Sequence, residues 1–180
     1  MWIDETAGGK TYGRSFSGTP ARMPGHPTHG SQQWTVLVAV DSSVGVVARV
    51  LYKGATTKER FLVFLTLAVF PAIADTGSRI ITFDNLNCHL LPDVRSAILY
   101  EGHRLVLRPK HSPDFGGVEW VFSFVHKALV HFDKHVTNDN FEAILNNCLD
   151  YVTPELVAKY MACAHFYVPP HEFRPYMGQQ

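Results

Sequence analysis

The chain has 180 residues, 46% apolar and 18% charged, enough for one folded domain with a real core and too few for two comfortable ones. Sixteen basic residues balance sixteen acidic ones, so composition brings none of the basic excess usual in a protein that wraps nucleic acid. Cys88, Cys148 and Cys163 are too few and too scattered for a disulfide framework or a zinc site, which fits a reducing compartment. The longest apolar run, 61–74, is too short to span a bilayer and is interrupted by Pro71. The opening residues do not read as a signal peptide, because Asp4 and Glu5 follow Met1 almost directly, and none is expected.

In chain order, residues 2–4 predict a short strand ending at Asp4. Residues 5–33 are rich in Gly, Pro, Thr and Ser and predict an irregular excursion. QWTVLVAV at 33–40 and VGVVARVLY at 44–52 predict two strands, and the turn at 41–43 makes them a hairpin. Residues 57–74 predict a helix. Thr56 or Thr57 caps it, Glu59 sits in its first turn, and Phe61, Phe64, Leu65 and Ala68 recur at helical spacing. RIITFD at 79–84 is short, β-branched and apolar, as a buried parallel strand is. A helix over 92–100, a strand over 104–107 and a helix over 118–132 follow, then helices over 138–151 and 154–165.

A hairpin followed by βαβ crossovers predicts an α/β fold, a mixed sheet with helices packed on it. This is the order of the ribonuclease H-like fold, here with extra C-terminal helices. The expected division is a core domain over 1–135, a helical extension over 136–168 and a tail over 169–180.

Asp4 and Asp84 are expected to end neighbouring parallel strands, about 4.8 Å apart, at the carboxyl edge of the sheet. Glu119 opens the last core helix, at the same edge if that helix packs back. Three acids meeting there repel each other unless a cation neutralises them. Magnesium suits such oxygen ligands, and a metal pair at about 3.5–4 Å can activate a nucleophile and stabilise the leaving oxygen at a phosphodiester. Taken singly, each acid is explained as a turn, cap or helix-dipole residue. Their order and shared edge separate them from that reading.

The local motifs add to this. WIDET at 2–6, FDNLNCH at 83–89 and HSPDFGGVEWVF at 111–122 resemble the three acidic blocks of mariner-like DDE transposases. The 34 residues between Asp84 and Glu119 match the spacing of one large branch of that family. RSFSGTPAR at 14–22 resembles its basic stretch, and TPELVAKYMACAHFY at 153–167 a segment of eukaryotic members. The resemblance covers nearly the whole chain and implies metal-dependent DNA cleavage and strand transfer. Asp4, Asp84 and Glu119 would hold two Mg2+ or Mn2+ ions. Arg14, Arg22, Asn85, His89, Lys110 and Lys127 are the candidate DNA contacts. It also implies transposon-end and target DNA as partners, a homodimer, nuclear localisation, no membrane and no small-molecule cofactor.

Two departures stand out. Gly116 and Gly117 replace the family's usual Asn-Pro before Ile-Glu, and His126, with Lys127 beside it, stands where a lysine is frequent. The family's helix-turn-helix region would lie before Asp4, so this chain is expected not to transpose by itself. A strand with two residues before its acid is also expected to have few ladder bonds holding it. The alternative function is a catalytically silent, transposase-derived DNA-binding or interaction module. A different nuclease of this fold, an integrase or resolvase, ranks last. A zinc site at His26 and His29 has no supporting spacing.

Overall fold

The computed structural model describes residues 1–8, 34–84, 91–108, 116–132 and 139–164. Its centre is one mixed five-stranded sheet of order β3-β2-β1-β4-β5. The strands are β1 (Trp2–Gly8), β2 (Trp34–Asp41), β3 (Gly45–Lys53), β4 (Ile80–Phe83) and β5 (Arg104–Leu107). β2 and β3 form the expected antiparallel hairpin, with a register shift between Ala39 and Val40. Its turn is closed by Val44 N–H donating to the Asp41 carbonyl at 3.2 Å. Ser43 N–H donates to the Asp41 carboxylate at 2.9 Å, which holds the corner from its other side. β4 and β5 pair in parallel, from Ile80 opposite Arg104 to Phe83 opposite Leu107.

β1 corrects one expectation. It does not stop at Asp4 but runs on to Gly8, paired with β2 at all seven positions. Asp4 lies inside the strand, opposite Val38. Among the described residues, only Trp2 pairs with β4, opposite Thr82. The antiparallel ladder therefore supplies the hold on Asp4 that the parallel one lacks.

Alternation sorts the side chains onto two faces. Trp2, Val36, Val38 and Val40 join one apolar cluster, with residues of α4 (Gly117–His131), α5 (Phe141–Asp150) and α6 (Pro154–Cys163). Ile3, Leu37, Ala39, Ile81 and Phe83 join the other, with residues of α1 (Lys58–Phe64), α2 (Phe70–Ile73) and α3 (Pro92–Tyr100). Burying each such Leu, Ile, Val or Phe contributes about 1.5–3 kcal/mol. Asp4 falls two residues after Trp2, so it faces the α4 side.

The helix expected over 57–74 forms, but in more than one register. α1 is capped by Thr57, whose side chain accepts from Arg60 N–H at 3.3 Å. A π-turn at Leu65–Val69 follows, then α2. Pro71 has no N–H to give to the Leu67 carbonyl, and its ring would press on that carbonyl in α geometry. The wider π register just before it relieves the conflict. α3 ends in a Schellman motif at Gly102 (φ 76°), with Gly102 N–H to Leu99 O at 3.0 Å and His103 N–H to Ile98 O at 3.1 Å.

Candidate active site

Three elements carry the three acids into electrostatic reach of one another. β1 presents Asp4 on its α4 side, buried at 6% exposure. β4 ends at Phe83, and Asp84 is the next residue. Phe83 faces the α1 side, so alternation turns Asp84 toward α4. Glu119 lies in the first turn of α4, where its N–H donates to the Gly116 carbonyl at 3.0 Å. The negative charge of Asp84 acts on both Asp4 and Glu119, and that of Asp4 acts on Glu119. Among the described residues, no three His, Cys, Asp or Glu side chains form a ready metal cage.

The group between the acids is Arg108, which sequence reasoning missed. It follows β5 directly, and its backbone N–H donates to the Phe83 carbonyl at 3.1 Å, one residue before Asp84. Its side chain is buried at 3% exposure. Nη2 donates to Asp4 Oδ2, and Nη1 lies 3.9 Å from Glu119 Oε1. The other Asp4 oxygen accepts from Glu5 N–H at 2.8 Å. No local signal singled it out, because Arg104 and Lys110 flank the same apolar run.

The two glycines before Val118 make this packing feasible. A Cβ at Gly116 would overlap Arg108 Nη1 and stand 3.1 Å from its Cζ and 3.2 Å from Glu119 Cγ. A Cβ at Gly117 would meet Met161 Cγ of α6 at 3.2 Å. Gly116 makes room for the guanidinium, and Gly117 lets α4 close on α6.

Burial pushes the Asp4 carboxyl above the ordinary carboxylate range. Arg108 and the Glu5 amide pull it back without cancelling the shift, and Asp84 raises it further. Burial also raises Glu119, helped by Asp4 and Asp84 and opposed by Arg108. In metal-free buffer, folding therefore favours the protonated acids. That share of stability is full below the ordinary carboxylate range and is lost as pH rises through the raised values. Asp4→Asn does not ionise there. Its stability relative to the parent chain should rise as pH climbs through and above the ordinary carboxylate range. Urea unfolding in EDTA checks this, and a pH-independent difference would show that Arg108 neutralises Asp4 fully.

Of the candidate DNA contacts, Arg14, Arg22, Asn85, His89 and Lys110 lie outside the described residues, as do His26, His29 and Cys88. Lys127 is exposed on α4, about 12 Å along the helix axis from Glu119, and is not part of this cluster. His126 is half-buried, and burial lowers its pKa. Trp120 is exposed and stacks on Tyr160 of α6, with ring centroids 6.4 Å apart.

A central strand flanked by an antiparallel hairpin and two parallel strands, with acids on β1, after β4 and opening α4, is a ribonuclease H-like arrangement. The family model described as DDE superfamily endonuclease matches residues 1–142, and the chain belongs to that family. Among solved structures, the Mos1 transposase paired-end complex with left transposon end superposes with a TM-score of 0.67 at 18% identity. That match covers 91% of this chain and 50% of the other. The Mos1 mariner paired-end complex with Mn gives 0.69 at 17% identity, covering 89% of this chain and 50% of the other. The Mos1 catalytic domain with raltegravir and Mg gives 0.60 at 16% identity, covering 91% and 80%. At such identities the likeness shows the fold, and the chain spans half the length of the first two. Among curated proteins, none matches the sequence significantly.

Proposed function

We propose that this chain is the catalytic domain of a mariner-like DDE transposase, one that cuts and joins DNA phosphodiesters. What supports the reading is that Asp4, Asp84 and Glu119 lie within electrostatic reach of one another, in a chain of the DDE endonuclease family. The donor set is hard carboxylate oxygen, and a cation, the Arg108 guanidinium, already lies between two of its members. Carboxylate oxygens are the donors that Mg2+ and Mn2+ prefer, which supports the reading. Bound there, a divalent pair would supply an activated hydroxyl nucleophile and charge stabilisation at the leaving oxygen. The chain's own part is to hold the three acids. β1 fixes Asp4 through its ladder to β2, the β4–β5 pair fixes Asp84, and the first turn of α4 fixes Glu119. Transposon ends and target DNA are the partners this reading assigns, with pairing of two copies and work in the nucleus.

Metal linkage tests it. Mn2+ at about 100 times its dissociation constant should stabilise the chain by about 2.7 kcal/mol. Asp84→Asn should lose most of that gain in thermal melts. An undiminished Mn2+ shift in Asp84→Asn would place the site elsewhere. A stable chain showing no Mn2+ shift at all would favour the silent binding module.

A further inference from the structure

We infer that Arg108 is a resident counter-cation of the acidic site, one that a divalent metal must displace before it can bind. The inference rests on the metal-site reading above and adds a competitor to it. The guanidinium is buried, donates to Asp4 and lies 3.9 Å from Glu119, so it stands in the space between two of the three acids. A metal ligated by both carboxylates needs that space and those oxygens. A cation held beside it would also repel it through a poorly screening interior. In the metal-free chain, Arg108 keeps the buried Asp4 from being an uncompensated charge. The same contact makes the site reluctant to take a metal.

Gly116 is part of the device. A methyl group at 116 would overlap Nη1, and the obstructing atom is the far end of a long, flexible side chain. The guanidinium is the part that can yield. Gly116 thus permits the arginine to sit across the acids, and Gly116→Ala should evict it from its place beside Glu119.

The test is Mn2+ binding to the whole chain, by calorimetry and by water-proton relaxation, with unfolding in EDTA measured in parallel. Arg108→Gln should melt lower in EDTA and yet bind Mn2+ more tightly, by roughly tenfold or more, because a like charge about 4 Å away is removed. The opposite signs are the signature. A merely structural arginine, once removed, would loosen the site and weaken both fold and metal binding. Gly116→Ala retains the arginine and should tighten Mn2+ binding in the same direction. It decides the matter alone if Arg108→Gln does not fold. Mn2+ binding to the parent chain with equal or weaker binding to the folded variants would overturn the competitor role and leave the metal site standing. No Mn2+ binding by the parent chain or either variant would overturn the metal-site reading and this inference with it.

Discussion

Replacing Phe61 with alanine is expected to lower the unfolding free energy by about 3–5 kcal/mol. Phe61 is fully buried and meets Phe83 edge-on, with ring centroids 5.4 Å apart and planes at 86°. The pair fastens α1 to β4. Removing one ring leaves a cavity that α1 cannot fill, because Phe64 and Leu65 are already committed to the same cluster. The edge-to-face contact adds about 0.5–1.5 kcal/mol beyond area burial. Urea unfolding should show a lower midpoint at unchanged slope. A loss below about 1 kcal/mol would mean that α1 is not packed as described.

The second large effect is expected at Gly45. Its φ of 89° is a conformation that L side chains rarely adopt, and a Cβ there would stand 2.7 Å from the Val152 carbonyl oxygen and 3.2 Å from Pro154 N. Both obstructing atoms are backbone, one in the link after α5 and one in the first residue of α6. Gly45→Ala should cost about 1–2 kcal/mol for the backbone and a further 1–3 kcal/mol, roughly, for the collision. Gly102 is the control. Its φ is 76°, and a Cβ there meets nothing within 4 Å. Gly102→Ala should show a left-handed backbone cost without a collision, so the difference in unfolding free energy between the two variants reports the collision. Equal losses at the two positions would show that the α5–α6 link gives way.

Elements with punctuation at both ends were legible in the sequence. α3 was predicted over its observed span, because Pro92 opens it and Gly102 follows it. β5 was likewise predicted over its observed span, since an apolar run follows a turn. Val118, Val121, Phe122, Val125 and Leu129 lie at helical spacing within the helix predicted over 118–132, and they are buried together. β1 was read too short because Thr6, Ala7 and Gly8 carry little strand signal. They are strand because β2 pairs with them, a contact formed with residues 34–36. The π-turn was not legible either, since periodicity over 57–74 cannot show one extra residue in a turn.

In the site, the acids were singled out by their motifs, and alternation and helix return were the grounds for expecting them on one face. Arg108 was not. Its partner Asp4 is 104 residues away in sequence, and a local pattern carries no information about such a contact. Gly116 was visible as a departure from the family pattern. Its meaning appeared only with the guanidinium lying where its side chain would have been.

The π-turn at Leu65–Val69 has a consequence for chain length. It holds one residue more than an α-turn would, and Thr66 and Leu67 on its outer side are exposed. Deleting one of them returns the segment to ordinary pitch while Phe61 and Phe64 before it, and Val69 and Phe70 after it, keep their direction. Deleting a residue within α1 instead would rotate one half of the helix against the other by about 100°. One of the two apolar stripes would then leave the sheet. Along this helix a shortened chain is tolerated at one turn only, and Pro71 is the residue that favours retaining the extra one.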